Sequence, residues 1–189
     1  MEQFYQFLNK RYDIHIKKQS GEPYPWTDDP ILQKYKFTNV FREDDATTVW
    51  FRENMRDKLR EHSDVILATI IFRWFNLVTG AYIIKTPNGM NKLEGVCWCI
   101  DQIASDRNKL INDVHLAHTL RCLWEILLPY PYMGPFMAYE VVTDWRHTYV
   151  GGDSEDILTW ANPGPGARRG LNRIHNRDLN KQIKMEQCV

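Results

Sequence analysis

The clearest structural pattern in the sequence is LWEILLPYPYMGPFMAYEVVTD, Leu123–Asp144. A helix over its first residues is expected to end at Pro129, because proline lacks the amide hydrogen that a continuing helix needs. Gly134 permits a tight backbone turn, and Pro135 suits the first position of a second helix. Ala138 is small where the two helices have to cross closely. The segment therefore predicts a hairpin of two helices.

Helical periodicity extends over most of the remaining chain. Apolar residues from Phe4 to Ile14 have the spacing of a first amphipathic helix that ends near Gly21. Asp29 followed by Pro30 is typical of a helix N-terminus that the aspartate caps. Since no segment alternates with the period of a strand, we predict an all-α fold. Further helices are expected over about 31–37, from the charged turn 41–45 to residue 60, and over 63–80, 93–104 and 114–128.

Two small helical lobes that share a cleft are the expected arrangement within one domain, 1–189. One lobe comprises about residues 1–62 with 145–189, the other comprises 63–144, and the hairpin turn lies at 129–135. The chain has 189 residues, with 43% hydrophobic residues and 24 Lys and Arg against 24 Asp and Glu. It has no run of 18 apolar residues, no signal peptide, and too few cysteines for a disulfide scaffold. We therefore expect a cytoplasmic, monomeric protein with no membrane contact.

Positive charge is concentrated near the C-terminus, in NPGPGARRGLNRIHNRDLNKQIK, Asn162–Lys184. Gly164 and Gly166 allow the backbone to approach a phosphate closely. On a chain with no net charge, such a basic segment is typical of a nucleic-acid contact. The alternative is an ordinary turn with solvated arginines. The DNA-binding candidates in this segment are Gly164, Gly166, Arg168, Arg169 and Arg173.

Two groups of carboxylates are candidates for chemistry. Asp153, Glu155 and Asp156 form an acidic cluster just upstream of the basic segment. Asp156 could instead cap a short helix over 157–161. Asp144, which precedes Trp145, is more simply one half of a structural ion pair.

The hairpin string PYMGPFMAYEVV is similar to the hairpin of helix–hairpin–helix DNA glycosylases. That resemblance implies a glycosylase-like all-α fold, with DNA contacts from Tyr132, Met133 and Gly134. It also implies a catalytic aspartate about twenty residues after the hairpin glycine, and Asp156 occupies that place. Phe136 stands where bifunctional members have lysine, so the resemblance implies a monofunctional enzyme.

A second resemblance covers most of the chain. The strings PYPWTDDPILQKYKFTNVFREDD, FRWFN, GPFMAYEVVTDWRHT and DILTWANPGPGARRGLNRI resemble the alpha-glutamyl/putrescinyl thymine pyrophosphorylase family. That family includes the helical domain attached to phage 5-hydroxymethyldeoxyuridine DNA kinases. The resemblance implies a partner DNA that contains modified pyrimidines, with the modified base flipped out of the helix. Because the sequence has no GxxxxGK[ST] stretch, we expect that the chain is not itself the kinase.

The candidates for a base pocket lie mostly within these strings. Polar side chains in apolar helices need partners, so the alternative is a hydrogen-bond network in the core. The tryptophans, including Trp26 and Trp145, are alternatively core residues. The pocket candidates are Asn39, Arg42, Arg73, Asn76 and Trp160.

Three functions are compatible with the sequence. The favoured one is a monofunctional DNA glycosylase that excises a hypermodified pyrimidine and leaves an abasic site, which suggests antiphage defence. The second is an amino acid or polyamine:DNA transferase that displaces pyrophosphate from a base derived from 5-hydroxymethyluracil. The third is a non-catalytic helical DNA-binding module. No cofactor is expected, and no metal either, since Cys97-x-Cys99 and His115-x-x-His118 have poor spacing for zinc.

Overall fold

The computed structural model describes residues 2–79 and 86–183, without the side chains of residues 76–79. The predicted all-α fold is confirmed, and no strand occurs in the described ranges. A 3₁₀ turn lies at Arg42–Asp44 and a π-helical turn at Arg52–Arg56. The α-helices are α1 Glu2–Gln19, α2 Pro30–Lys34, α3 Ala46–Phe51, α4 Asp64–Thr79, α5 Lys92–Ser105, α6 Arg107–His115, α7 Leu120–Leu127, α8 Pro135–Trp145 and α9 Pro165–Ile174.

The start of α2 has the capping geometry that the sequence predicts. The Asp29 carboxylate accepts the Ile31 amide at 3.0 Å and the Leu32 amide at 3.3 Å, and Pro30 is the first helical residue. These contacts satisfy amide groups that have no partner inside the helix. The helix itself is shorter than expected and ends at Lys34 rather than near residue 37.

The single helix expected over 114–128 is wrong, because two helices occupy this part of the chain. α6 ends at His115, and α7 begins only at Leu120. The Thr119 hydroxyl caps the new helix by accepting the Cys122 amide at 3.1 Å. The helical pattern of apolar residues runs through both segments, so periodicity alone did not show the break.

The chain divides into two compact units. The first comprises Met1–Trp50 and Arg169–Lys181, and the second is built on Phe51–Arg168, with Gln182 and Ile183 also in it. The predicted lobe boundaries differ from this division, since residues 145–168 belong with α4–α8. The reason is packing, because Trp145 and Trp160 are buried in the core of the second unit. The cleft predicted between the lobes stays a prediction.

Apolar residues of α4, α5, α7 and α8 form the core of the second unit. α8 packs against both α4 and α7. Ala138 is fully buried on α8, as expected for a small residue at a close helix crossing. The first unit is different, because among its described residues only Thr48 and Asn172 are buried. Within the described ranges, no helix is long and apolar enough to span a bilayer.

Candidate functional site

Asp156 is held by the N-terminus of α7. Its Oδ1 accepts the Leu120 amide at 2.6 Å, and its Oδ2 accepts the Arg121 amide at 3.1 Å. A carboxylate at this position satisfies free amides and also interacts favourably with the helix dipole. The alternative cap over residues 157–161 is wrong, since that segment forms turns and not a helix. Asp156 thus caps a helix that begins 36 residues earlier in the chain.

Two glycines shape the loop that brings Asp156 to α7. A Cβ on Gly151 would lie 3.1 Å from the Trp145 backbone, and one on Gly152 would lie 2.9 Å from the Thr148 carbonyl oxygen. Both distances are shorter than ordinary contacts, so the loop can pack this closely only with glycine. Asp153 and Glu155 are exposed on the same loop. They line a small cavity of about 170 Å³ together with His118 and Tyr149.

Arg73 and Asp144 form a buried ion pair. Arg73 Nε and Nη2 donate to the two carboxylate oxygens of Asp144 at 2.5 and 2.6 Å. The side chains are 6% and 0% exposed, which places the pair inside the core of the second unit. The alternatives given for these two residues, a polar network in the core for Arg73 and a structural ion pair for Asp144, therefore fit the structure. The guanidinium of Arg73 is directed at Asp144 and not at an open pocket.

The three DNA-binding candidates in the turn between α7 and α8 differ in burial and in backbone conformation. Met133 is 1% exposed and its side chain packs in the core, while its predicted contact with DNA stays a prediction. Tyr132 is partly exposed and has a positive φ of 55°. Gly134 has an ordinary extended backbone with φ −66° and precedes α8. The left-handed position of the turn thus belongs to Tyr132, although the sequence suggested Gly134.

The other base-pocket candidates are scattered. Trp160 is buried against Trp124 and Tyr139, with ring centroids 6.0 and 5.6 Å away, so its core alternative fits the structure. Arg42 is half-buried in the 3₁₀ turn of the first unit. The side chain of Asn76 lies outside the described residues. Arg42 belongs to the first unit, whereas Arg73 and Trp160 belong to the second.

The predicted glycine-rich loop is wrong, because α9 occupies this segment. The helix begins at Pro165, directly after Gly164, and includes Gly166. Arg169 and Arg173 are exposed one helical turn apart, whereas Arg168 is half-buried with its Nη1 3.4 Å from Gln182 Oε1. The loop was expected from the three glycines, but each has a regular backbone and open space where a Cβ would stand. Arg169 and Arg173 lie at the surface, and the predicted DNA contacts of all three arginines stay predictions.

Buried Asn172 fixes the chain that follows α9. Its Nδ2 donates to the carbonyl oxygens of Leu179 and Lys181, at 3.3 and 2.8 Å. These bonds hold residues 179–181 beside the helix and keep Arg177 and Lys181 in the same region as the arginines of α9. The basic segment is therefore an ordered surface rather than a loose tail.

The sequence reasoning missed a cleft in the first unit. It has a volume of about 310 Å³ and lies between α1 and residues 24–40. The aromatic side chains that line it are Tyr24, Trp26, Tyr35 and Phe37, and the cationic ones are Arg11, Lys18, Lys34 and Lys36. Asn39 lines it too, so this one base-pocket candidate lies in a real cavity.

The rings of the cleft are held in fixed positions. Trp26 Nε1 donates to the Glu22 carbonyl oxygen at 2.7 Å, and Tyr24 stands edge-on to Trp26 with the centroids 5.3 Å apart. Arg11 Nη2 donates to the Thr38 carbonyl oxygen, and its guanidinium lies 5.3 Å from the Phe37 ring centre. Such cation–aromatic contacts are favourable and hold Arg11 against the Phe37 ring.

The side chains that line the cleft carry a net positive charge. Four of the side chains that line the cleft are cationic, and no aspartate or glutamate is among the lining residues. In the part of the chain that the structure describes, Lys18, Lys34 and Lys36 have no carboxylate within 4 Å. The signal in the sequence was the interleaving of lysines and rings in PYPWTDDPILQKYKF.

Asp29 attaches the wall of the cleft to α1. Its Oδ2 lies 2.9 Å from Lys10 Nζ, while its Oδ1 caps α2. The hydrogen bond from Lys10, followed by the α2 amides, holds the pKa of the Asp29 carboxyl below its usual 3.8. The same hydrogen bond raises the pKa of Lys10 above 10.5. One side chain therefore orients α2 and joins it to the neighbouring helix.

The cysteine and histidine pairs do not form a metal site. Cys97 is exposed and Cys99 is buried, and burial raises the pKa of the Cys99 thiol above 9.0. His115 Nε2 lies 3.0 Å from the Tyr149 hydroxyl. Within the described residues, no group of three or more His, Cys, Asp or Glu could hold a metal ion.

Comparison with known proteins places these features in a family. A family model described as "5-hmdU DNA kinase, helical domain" matches residues 1–79 and 76–189, where 5-hmdU is 5-hydroxymethyldeoxyuridine. A 5-hmdU DNA kinase of Bacillus phage SP10 is 37% identical over 76 residues, which cover 36% of this chain and 12% of the phage protein. The chain thus matches a small part of that relative. No solved structure is significantly similar to it.

The predicted base excision is wrong, and so is the enzyme class of a glycosylase. The matching family and the phage relative are named for a DNA kinase, which is a transferase and not a hydrolase. The role of Asp156 in excision and the defence role inferred from it are withdrawn as well. The glycosylase-like form of the fold and the pyrophosphorylase family stay predictions. The predicted relation to the kinase-attached domain is confirmed: this chain belongs to the family of the helical domain of 5-hmdU DNA kinases.

Proposed function

We propose that this chain binds DNA that contains 5-hydroxymethyluracil and holds it for a phosphorylation step. The family description and the name of the Bacillus phage SP10 relative support the nature of the DNA. Since the aligned segment is 12% of that relative, the proposal concerns recognition of DNA and not the phosphoryl transfer itself.

The observation that carries the proposal is the positive charge on two surfaces of the first unit, the cleft and α9. Cations line the cleft without a carboxylate among them, and Arg169 and Arg173 project from one exposed side of α9. Gly170 lies beside these arginines with open space around it, so a phosphate could approach the helix backbone there. Guanidinium groups bind phosphate oxygens with two hydrogen bonds at once. Tyr132, Gly134 and Gly164 remain further candidates for DNA contacts.

The experiment compares matched oligonucleotides by fluorescence anisotropy. One set contains a single 5-hydroxymethyluracil and the other contains thymine at the same position, in single-stranded and duplex form. We expect binding that weakens with salt and that is tighter for the modified base. Each lost phosphate contact lowers the slope of log K against log salt by about 0.7–0.9. The double variant Arg169→Ala/Arg173→Ala should therefore lower the slope by about 1.5.

The control removes two lysines that lie outside these surfaces. Lys58 and Lys92 are exposed in the second unit, and neither lines the cleft. The variant Lys58→Ala/Lys92→Ala has the same net charge as the arginine variant, so it should bind like the wild type. If neither oligonucleotide binds at low salt, the proposal is wrong. If both bind equally, the selectivity for the modified base is wrong.

A further inference from the structure

We infer that the cleft of the first unit binds one unstacked pyrimidine nucleotide of single-stranded DNA, an inference that rests on the proposed DNA binding. The cleft has a volume of about 310 Å³, at the lower end of the range for ligand pockets. It can therefore hold a single nucleotide and not a base pair. A base that is to be modified has to leave the helical stack before an enzyme can reach it.

The ring faces of the cleft provide a stacking surface. Tyr24 and Tyr35 are 62% and 58% exposed although both line the cavity, so their faces are available to a base. Trp26 also lines the cleft, and its indole N–H already donates to the Glu22 carbonyl oxygen. Proteins that bind single strands use such aromatic residues as platforms for successive bases.

Lysines stand next to the rings, where the phosphates of a stacked nucleotide would lie. Lys18 Nζ is 5.3 Å from the Trp26 ring centre, and Lys34 Nζ is 5.7 Å from that of Tyr35. Stacking and charge neutralisation thus occur at adjacent positions, as a nucleotide requires. An apolar or uncharged ligand would leave these ammonium groups without a counterion.

Two side-chain amides supply acceptors for the edge of a pyrimidine. Gln33 Nε2 donates to the Thr27 carbonyl at 2.5 Å, and Asn39 Nδ2 donates to the Asp44 carbonyl at 2.9 Å. These bonds orient the amides and leave their carbonyl oxygens as acceptors. Uracil bases carry an N3–H donor, and a 5-hydroxymethyl group adds a hydroxyl donor that thymine lacks. The amides thereby give the cleft a means to distinguish the two bases.

The test measures the affinity of the whole chain for a single-stranded hexamer with one 5-hydroxymethyluracil, by calorimetry. Tyr24→Ala and Tyr35→Ala should each weaken binding by about tenfold, since stacking on one ring contributes that much affinity. Tyr5→Ala is the matched control, because Tyr5 is 55% exposed on α1 and does not line the cleft. Its affinity should stay within about twofold of the wild type.

The amide contacts have a separate readout. Asn39→Leu should reduce the ratio of affinities for the 5-hydroxymethyluracil hexamer and the thymine hexamer towards one. A purely structural effect of this substitution would lower both affinities and leave their ratio unchanged, which would overturn the assignment of Asn39.

The outcomes separate this inference from the proposed function. If Tyr24→Ala and Tyr35→Ala bind the hexamer like the wild type while Arg169→Ala/Arg173→Ala loses affinity, DNA binding stands and the nucleotide site in the cleft is wrong. If the wild-type chain binds neither the hexamer nor the duplex at low salt, the nucleotide site and the proposed DNA binding are both wrong. Loss of affinity in the cleft variants with Tyr5→Ala unchanged supports the site.

Discussion

Trp74 and Trp145 of the second unit are 2% and 0% exposed, whereas Tyr24 and Tyr35 of the first unit are 62% and 58% exposed. The same contrast holds for aliphatic residues, since the core lies entirely within the second unit and α1 has no buried residue. Aromatic residues stabilise the fold when they are buried and recognise ligands when a polar neighbour keeps them accessible. Similar residues are thus buried in one unit and exposed in the other.

The contrast extends to charged residues. The carboxylates that first suggested catalysis, Asp144 and Asp156, are both bonded within the second unit to protein donors. The lysines of the cleft have no carboxylate partner among the described residues of the first unit. A buried charge destabilises the fold when its partner is removed, and a surface charge without a counterion attracts a ligand of opposite sign. The predictions below separate these two uses.

The largest effect is expected at the buried ion pair. Asp144→Ala would leave the Arg73 guanidinium buried without its carboxylate, which should reduce the free energy of unfolding by about 3–5 kcal/mol. Urea denaturation measures this loss. The double variant Arg73→Leu/Asp144→Leu removes both charges and should be more stable than Asp144→Ala. A cost below about 1 kcal/mol for Asp144→Ala would show that the pair does not support the core.

A smaller effect is expected at the cap of α7. Asp156→Ala removes the acceptor of two amides and should reduce the free energy of unfolding by about 1–2 kcal/mol. Thr119→Ala is the comparison, because Thr119 caps the same helix through the Cys122 amide. Affinity for DNA, measured with the protein folded, should be unchanged in both variants. A loss of affinity in Asp156→Ala without a loss of stability would contradict the structural role.

The smallest effect concerns the titration of Asp29 and the pH dependence of its contribution to stability. The pKa of Asp29 is lowered in the folded protein, so its contribution to stability is present above pH 3.8 and is lost as the pH falls below that value. The carboxyl titration of Asp29, followed by NMR, should have its midpoint below 3.8. In Lys10→Met the midpoint should rise, because the main cause of the shift is removed. An unchanged midpoint would show that Lys10 does not hold α2.

Local patterns in the sequence predicted the parts of the fold that depend on neighbouring residues. The Asp29–Pro30 cap and the start of α8 at Pro135 follow from the properties of proline and of short acceptor side chains. The separation of α6 from α7 was missed because the apolar pattern runs through both helices, and because Asp156, which also caps α7, is distant in the sequence. Burial of Met133 was also missed, since the turn pattern gives no information on which side chain points inward.

The candidate site was predictable only in part. The arginines of α9 were found because they are clustered in the sequence, and Asn39 was found through its family string. The cleft was missed because its rings and lysines have no helical or strand period between residues 24 and 40. Only the folding of that segment over α1 brings Arg11 and Lys18 to the same cavity.

The most direct test of the account is amide hydrogen exchange of the whole chain with and without the 5-hydroxymethyluracil hexamer. We expect added protection in residues 22–40 and 165–177, and little change in the helices of the second unit's core. This pattern would place DNA recognition on the first unit and on α9. Protection confined to the turn at 129–135 and the loop at 151–157 would contradict it, because the binding surface would then be the hairpin and its carboxylates.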